Sequence, residues 1–142
     1  MNIRLAKIND LKDIYDLICD MESTQLDYKK FEQIFIRYLE NENFYSIVAE
    51  EDDLIIACLN LRIEYQLHHV EKIAEIMELA VKKEYRSKSV GKILLDKARK
   101  ISKDNNCLQM EVCCNQIREK AHKFYQREGM KNSHFKFSME LN

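Results

Sequence analysis

The chain contains no proline, no tryptophan and only two glycines, Gly91 and Gly129, in its 142 residues. These shortages exclude a collagen-like protein, a flexible glycine-rich linker and a proline-rich ligand. A content of 46% hydrophobic residues with nearly balanced charge predicts a folded chain rather than a disordered one. The length predicts a single domain over residues 1–142. The scarcity of glycine makes the positions of the two glycines informative.

Neither sign of charge dominates the chain. It has 23 basic and 24 acidic side chains and a formal net charge of -1, so no global positive field attracts nucleic acid or an anionic membrane. No apolar run approaches the roughly 20 residues of a spanning helix, and the first residues lack the apolar core of a signal peptide. We therefore expect a cytoplasmic protein without nucleic-acid or membrane partners, in which any anionic ligand is held by a local site.

The spacing of the apolar residues predicts ten elements in the order β-α-α-β-β-β-α-β-α-β. The expected strands cover residues 2–6, 44–49, 54–65, 73–81, 107–113 and 135–141. Helices are expected to start near Asp10, Asp27, Val90 and Ile117, and the third helix is expected to bury Val90, Ile93, Leu94, Ala98 and Ile101. This order describes an α/β fold with a mixed, mostly antiparallel sheet and helices on its faces. The two strands that flank the third helix should be parallel and joined by a right-handed crossover.

The most informative segment joins a strand to the third helix. Backbone N–H groups at a helix start are unpaired and carry the positive end of the macrodipole, so they suit a pyrophosphate. Gly91 lets a phosphate approach the main chain, and Ser89 offers a hydroxyl or an N-cap. The residues of this loop are Arg86, Ser87, Lys88, Ser89, Val90, Gly91 and Lys92. Taken alone, the loop is equally typical of a basic, solvated helix start.

The pattern Arg86-x-x-Ser89-x-Gly91, followed by two leucines, resembles the Arg/Gln-x-x-Gly-x-Gly/Ala pyrophosphate loop of the GNAT N-acetyltransferases. The family binds acetyl-coenzyme A, and the resemblance implies that acetyl-coenzyme A is the co-substrate of this chain. One residue departs from the pattern, because Ser89 stands where the family has a glycine.

A second segment, residues 121–130, is similar to the family's Ala-x-x-Phe-Tyr-x-x-x-Gly-Phe block, with Ala121 first, Tyr125 as its tyrosine and Gly129 as its glycine. The order of elements also fits the family over essentially the whole chain. The two motifs together imply the GNAT fold and an acyltransferase activity.

A narrower resemblance is to the aminoalkylphosphonate N-acetyltransferases of phosphonate-utilisation operons. It is carried by residues 66–70, 73–79, 127–129 and 133–137. The resemblance implies acetyl transfer to the primary amine of a small aminoalkylphosphonate by direct attack in a ternary complex. Two alternatives stay open. One is a GNAT enzyme with another acceptor, such as a polyamine, an amino sugar or a protein N-terminus, and the other is a non-catalytic module that binds acyl-coenzyme A.

Two carboxylates, Glu75 and Glu78, are candidate general bases on the strand over residues 73–81. Their odd separation places them on opposite faces of a regular strand. A partly buried carboxylate has a raised pKa and can accept the proton of an ammonium group. The resemblance implies Glu75 as the base, with Glu78 as the alternate, and Tyr125 as the acid that protonates the departing thiolate. The structural alternatives are an ion-paired carboxylate and, for Tyr125, a place in the core.

The resemblance also implies further cofactor contacts. A bulge in the same strand would turn backbone groups of Leu79, Ala80 and Val81 toward the cofactor, one N–H serving as an oxyanion donor. Ala121 belongs to the second motif, and Asn115 matches a common cofactor contact, with a loop cap as its alternative.

Three histidines, His68, His69 and His134, are expected at the acceptor end of this fold. Imidazoles there could hold a divalent metal ion or, when protonated, a phosphonate, and the resembling phosphonate enzymes are stimulated by divalent metals. A solvated turn is the alternative, because adjacent histidines in a strand point to opposite faces. The final strand, residues 135–141, is a candidate edge for a homodimer.

Overall fold

A computed structural model describes residues 1–142. The strands are β1 (Asn2–Leu5), β2 (Phe44–Glu51), β3 (Leu54–Gln66), β4 (Glu71–Val81) and β5 (Gln109–Val112). The helices are α1 (Leu11–Glu22), α2 (Tyr28–Glu40), α3 (Val90–Asp104) and α4 (Glu119–Arg127). None of these helices combines the length and the apolar composition that crossing a membrane requires. The chain divides into two compact units, Met1–Glu111 and Val112–Asn142.

The strands form one sheet in the order β1-β2-β3-β4-β5, and β1 to β4 pair as antiparallel neighbours. The turn between β2 and β3 is formed by Asp52 and Asp53, whose φ angles are 51° and 63°. Positive φ at both central residues is what a tight two-residue hairpin requires, and aspartate tolerates it better than most residues. The turn expected between the strands over residues 44–49 and 54–65 is therefore present, but β2 extends further into it, to Glu51.

The fifth strand runs parallel to β4. The backbone N–H of Leu108, just before β5, donates to the carbonyl oxygen of Lys72 near the start of β4 at 2.8 Å. The two neighbouring strands therefore begin at the same end of the sheet, as parallel strands do. This confirms the predicted parallel pair on either side of α3.

The core of the first unit lies on both faces of the sheet. On one face, Val48, Cys58 and Ala80 pack against α1 and α2. α2 starts where the sequence predicts, because the Asp27 carboxylate accepts a hydrogen bond from the backbone N–H of Lys30 at 2.9 Å. The alternation of β3 leaves the other face for α3, whose buried residues are Val90, Leu94, Leu95, Ala98 and Ser102. Ile93 was expected to be buried but is 36% exposed, because the buried face of α3 includes Leu95 in its place.

In the second unit, α4 ends at Arg127, and Gly129 has φ +88°. The N–H of Met130 donates to the carbonyl oxygen of Tyr125 at 3.0 Å, which closes the helix around a left-handed glycine as the sequence predicts.

The predicted last strand was wrong. Residues 130–142 form neither helix nor strand, and the apolar side chains of the alternation are more than 80% exposed: Phe135, Phe137, Met139 and Leu141. Alternation tells which side chains would share a face, but a strand also needs a hydrogen-bonded neighbour, and the sheet provides none for this segment. The homodimer edge expected there stays a prediction.

Candidate active site

A β-bulge in β4 brings the two candidate carboxylates to one face. Asn60 of β3 lies opposite Glu78, whereas the next residue, Leu61, lies opposite Ile76, so Met77 is an extra residue in β4. Arg62 lies opposite Glu75. Residues directly opposite one another in an antiparallel pair share a face, and Asn60 and Arg62 are two residues apart on a regular strand. Glu75 and Glu78 therefore share a face, and their predicted placement on opposite faces was wrong because the extra residue resets the alternation.

Glu78 lies in a small network of neutral polar groups. The amide nitrogen of Asn60 donates to Glu78 Oε1 at 2.8 Å, and the hydroxyl of Ser46 donates to the amide oxygen of Asn60 at 2.6 Å. Tyr38 of α2 makes a longer contact, with its hydroxyl 3.4 Å from each carboxylate oxygen. Burial raises the pKa of Glu78, and the hydrogen bonds from Asn60 and Tyr38 oppose that rise. A carboxylate with a raised pKa is suited to accept a proton.

Tyr38 covers Glu78 from the helix side. Its ring packs on Phe44 with the centroids 4.6 Å apart. Burial, together with the nearby charge of Glu78, raises the pKa of Tyr38 to about 12. The hydroxyl is therefore protonated near neutral pH and available as a donor to Glu78.

Glu75 has a different environment on the same face. Its Oε1 is 2.6 Å from Nη2 of Arg62, and that same nitrogen is 2.7 Å from the carboxylate of Glu64. Glu75 is thus an ion-paired carboxylate, the alternative that the sequence left open, while Glu78 has the burial and the neutral partners of a base.

The loop before α3 has a left-handed backbone at Ser89, the position where the family pattern has a glycine. Ser89 has φ 65° and is the N-cap of α3, yet its side chain makes no capping hydrogen bond. Ser87 has φ 61°. The first N–H groups of α3 are therefore left for an outside acceptor, which suits a phosphate. Gly91 lies in the first turn of α3 and does not have a positive φ, unlike Gly129. Any contribution of Gly91 to phosphate binding therefore comes from its lack of a side chain and not from a left-handed backbone.

The side chain of Arg86 holds this loop against its neighbours. Nε donates to the carbonyl oxygen of Val81 at 3.0 Å, and Nη2 is 2.9 Å from the carboxylate of Asp20 in α1. Arg86 therefore links the loop to the end of β4 instead of pointing to the start of α3. Of the two lysines, Lys92 pairs with Asp96 at 3.3 Å, and Lys88 lies over the ring of Tyr85.

The second half of β4 presents an uncovered edge next to this loop. β5 has four residues, and because Leu108 pairs with Lys72, it extends along β4 only to about Ile76. Leu79, Ala80 and Val81 pair with β3 on one side only. Backbone groups on such an edge can pair with the amides of an extended ligand or act as an oxyanion donor.

In the second unit, Tyr125 has the protonation state that a general acid requires. Burial raises its pKa to about 12, helped by the nearby Cys114 and opposed by Arg118. The ring lies 5.2 Å from that of Phe124, and Ala121 is partly buried one turn earlier on α4.

Asn115 has the structural role that the sequence left as its alternative. Its side-chain oxygen accepts from the backbone N–H of Ile117 at 3.0 Å, and its carbonyl oxygen accepts from the N–H of Arg118 at 3.0 Å. The side chain is therefore a cap of the turn before α4.

The comparison with known proteins decides the family. Residues 9–130 match the model of the acetyltransferase (GNAT) family. The chain belongs to this family. As a GNAT protein it is an N-acetyltransferase, and GNAT acetyltransferases use acetyl-coenzyme A as co-substrate. The uncapped start of α3 and the open edge of β4 fit that co-substrate.

Individual relatives agree with this GNAT assignment. The chain is 33% identical over 139 residues to an aminoalkylphosphonate N-acetyltransferase of Salmonella typhimurium, covering 98% of this chain and 90% of that protein. It is 32% identical over 110 residues to an amino-acid acetyltransferase of Vibrio atlanticus, covering 78% of this chain but only 23% of that protein. A solved structure of a transcriptional regulator from Bacillus halodurans superposes with a TM-score of 0.90 at 21% identity, covering 99% of each chain. This last likeness concerns the fold alone.

The three candidate histidines of this GNAT protein lie in the turn after β3 and in the segment after α4. His68 and His69 lie in the turn after β3 with their rings 4.2 Å apart, and His69 Nδ1 contacts the side-chain oxygen of Gln66 at 2.8 Å. His134 is exposed, with Nδ1 3.0 Å from the hydroxyl of Ser133. No group of three or more His, Cys, Asp or Glu side chains in residues 1–142 could hold a metal ion. A metal site at these histidines stays a prediction.

Sequence reasoning missed four residues of the site: Tyr38, Ser46, Asn60 and Arg62. A signal for two of them was present, since Ser46 and Asn60 interrupt the apolar runs of β2 and β3 and are nevertheless buried. Buried polar side chains within apolar strands need partners. Here Ser46 donates to Asn60, and Asn60 donates to Glu78.

Proposed function

We propose that this enzyme acetylates the primary amine of a small aminoalkylphosphonate. The observation that carries the substrate class is the 33% identity over 98% of the chain to an enzyme named for that acceptor. The proposed chemistry is direct attack of the amine on the acetyl thioester in a ternary complex.

Glu78 is the proposed general base, in place of Glu75. An amine acceptor arrives at neutral pH as an ammonium ion and must lose a proton before it can attack. Glu78 is partly buried, its pKa is raised, and it accepts a hydrogen bond from Asn60. Glu75 is engaged with Arg62, so it is the less suitable of the two carboxylates.

The remaining steps use the second half of β4 and α4. The amine nitrogen bonds to the thioester carbon, and a backbone N–H within residues 79–81 stabilises the charge that develops on the carbonyl oxygen. The attacking nitrogen loses its second proton to water as the carbon–sulfur bond breaks, the hydroxyl of Tyr125 gives its proton to the departing thiolate, and water reprotonates Tyr125. The hydroxyl of Tyr125 is protonated at neutral pH and so has a proton to give, while burial, which raises its pKa to about 12, makes it a weaker acid than an ordinary tyrosine.

An amino acid is the second candidate acceptor. The supporting observation is the 32% identity over 110 residues to an amino-acid acetyltransferase, although the chain covers only 23% of that protein. Both named acceptors carry an amine together with an acid group, which distinguishes them from polyamines.

The function is tested by measuring free-thiol release from acetyl-coenzyme A across a panel of amines. The panel contains 2-aminoethylphosphonate, an amino acid, a polyamine, an amino sugar and a peptide with a free N-terminus, each assayed with a divalent cation and with a chelator. We expect the highest kcat/KM for 2-aminoethylphosphonate. Preference for the polyamine, amino sugar or peptide would replace the proposed acceptor. Thermal stabilisation by acetyl-coenzyme A without thiol release on any amine would instead identify a non-catalytic binding module.

A further inference from the structure

A row of polar side chains crosses the sheet at the proposed base. Ser46 of β2 lies opposite Asn60 of β3, and Asn60 lies opposite Glu78 of β4. Residues directly opposite one another share a face, so the three side chains form one line across three neighbouring strands. The next row along the same face is apolar and belongs to the core: Val48, Cys58 and Ala80. Ser46 thus borders the core, and its exposed fraction is only 6%.

The hydrogen bonds along this row run in one direction. The Ser46 hydroxyl donates to Oδ1 of Asn60 at 2.6 Å, and Nδ2 of Asn60 donates to Oε1 of Glu78 at 2.8 Å. The oxygen and the nitrogen of an asparagine amide have nearly the same shape, so the partners on each side decide which atom faces which way. Because Ser46 donates to the oxygen, the amide N–H is directed at Glu78. Linked hydrogen bonds also polarise one another, so the bond from Ser46 strengthens the one that reaches Glu78.

Loss of the Ser46 hydroxyl would reach Glu78 through Asn60. Asn60 is only 3% exposed, so without the hydroxyl its Oδ1 becomes a buried acceptor that has lost its donor. Leaving such an atom unpaired is costly, and an amide that moves to find another donor holds Glu78 less well. A hydrogen bond to a carboxylate favours its charged form, and the bond from Asn60 has this effect on Glu78.

We propose that Ser46 is a positioning residue for the base: through the amide of Asn60, its hydroxyl keeps the carboxylate of Glu78 in the ionised form that accepts a proton from the amine. This inference rests on the proposed function, since it takes Glu78 as the base. Ser46 contacts Asn60 and acts on Glu78 only through it.

Other titratable groups surround Glu78 and are the same in every variant of Ser46. The charge of Glu22, at the end of α1, favours the neutral form of Glu78. Burial raises the pKa of Cys58 to about 12, so this side chain stays a neutral thiol. The remaining groups on this face come from α2, β3 and β4: Tyr38, Arg62 and Glu75. A change in the titration of Glu78 between variants of Ser46 therefore reflects the polar row.

The first test follows the titration of Glu78 itself and needs no turnover. Carbon NMR observes the side-chain carboxyl of Glu78, which is assigned by the loss of its signal in Glu78→Gln. We expect the midpoint to rise by about one pH unit in Asn60→Leu, which removes the donor to Glu78. In Ser46→Ala the donor remains but is held less well, so we expect a rise of about half a pH unit.

Two further variants test whether the hydroxyl of Ser46 causes this rise. Ser46→Thr keeps the hydroxyl and should titrate within about 0.2 pH units of the wild type. Ser102→Ala is the matched control, because it removes a buried serine hydroxyl that donates to the carbonyl oxygen of Ala98 within α3 at 2.8 Å. Its midpoint should equal that of the wild type. A midpoint that stays in place in Ser46→Ala, moves equally in Ser102→Ala, or moves as far in Ser46→Thr as in Ser46→Ala overturns the proposal.

Kinetics then separates a positioning role from a general loss of structure. The kcat/KM for 2-aminoethylphosphonate is measured against pH at saturating acetyl-coenzyme A. Because the base must be ionised, the acid limb of Ser46→Ala should move to higher pH by the same amount as the midpoint, and the plateau above it should stay within about threefold of the wild type. Loss by one constant factor at every pH, with no movement of the limb or the midpoint, would overturn the proposal.

The two measurements also distinguish this inference from the proposed function. If the midpoint of Glu78 moves in Ser46→Ala but the acid limb does not, or if no thiol is released, Glu78 is not the base, whereas the action of Ser46 on Glu78 is supported. If circular dichroism shows that Ser46→Ala is unfolded, the comparison is made with Ser46→Cys, whose thiol is a weaker donor. A midpoint of Ser46→Cys within about 0.2 pH units of the wild type then counts against the proposal.

Discussion

Glu75 and Glu78 stand three residues apart on one face of β4, but the two halves of the strand to which they belong differ in pairing, burial and charge. Before the bulge at Met77, β4 is paired on both sides, and Glu75 forms an ion pair with Arg62. After the bulge, the strand has one uncovered edge, and Glu78 is held by neutral groups. One inserted residue thus separates a half of the strand that carries an ion-paired carboxylate from a half that carries the proposed base.

The difference also shows why two carboxylates close in sequence are not equivalent. Glu75 contacts the guanidinium of Arg62, whereas burial of Glu78 among neutral groups favours its protonated form. A general base must both lose and accept a proton near the working pH. The surroundings of Glu78, more than its place in a motif, make it the stronger candidate.

The largest expected effect comes from Glu78→Gln, which keeps the shape and removes the proton acceptor. We expect kcat to fall about 10³-fold with 2-aminoethylphosphonate, since general base catalysis contributes roughly 10²–10⁴-fold. The KM for acetyl-coenzyme A should change little. Steady-state thiol release measures both quantities.

Glu75→Gln is the matched control, because it makes the same chemical change before the bulge. We expect a loss in kcat of less than about tenfold, as for a residue that only positions Arg62. The reverse order of effects would restore Glu75 as the base and remove the functional distinction between the two halves of β4.

A smaller effect is expected from Tyr125→Phe, which removes the proposed proton donor from α4. We expect kcat to fall about 10²-fold, with binding of acetyl-coenzyme A retained, because only the proton for the thiolate is lost. Phe124→Leu is a neighbouring control that leaves the hydroxyl in place. If Tyr125→Phe keeps full turnover, the raised pKa of Tyr125 reflects burial in the core and nothing more.

Much of the fold was predictable from the sequence. Apolar spacing located the strands and helices up to α4, and the parallel pair around α3 followed from the handedness of crossovers. The left-handed Gly129 and the helix start at Ser89 followed from local chemistry. These features depend on residues within a few positions of one another, which is the range that a spacing pattern describes.

The family resemblance implied a bulge in β4, but the apolar spacing predicted neither its position at Met77 nor the absence of a strand over residues 135–141. Counting alternate residues assumes a regular strand. The extra residue at Met77 places Glu78 on the same face as Glu75, but the spacing of the apolar residues does not show it. The final alternation likewise contained no information about a pairing partner. In both cases the outcome depends on a neighbouring strand that is distant in sequence.

The second half of β4 also makes a prediction about pH. The hydrogen bond from Tyr38 lowers the pKa of Glu78 against the effect of burial, so Tyr38→Phe should raise that pKa further. The base must be ionised to act, and the acid limb of the kcat/KM profile should therefore move to higher pH in the variant. We expect a shift of less than about one pH unit, because the contact is a long one. Tyr45→Phe, a change on the same strand as Ser46, serves as the control. An acid limb that stays in place, or moves to lower pH, would mean that Glu78 does not control it.

The smallest expected effect concerns the loop that follows this half of β4. Ser89 holds a φ of 65° without a side-chain capping bond, and a non-glycine residue in that conformation costs about 1–2 kcal/mol. Ser89→Gly relieves this cost but gives the unfolded chain about 0.5–1 kcal/mol of additional conformational freedom. We expect a net gain in the free energy of unfolding of about 0.5–1 kcal/mol, measured by urea denaturation. Ser89→Ala keeps the Cβ and should be within about 0.5 kcal/mol of the wild type, because no capping bond is lost. A destabilised glycine variant would indicate that the hydroxyl, and not the backbone shape, is what this position contributes.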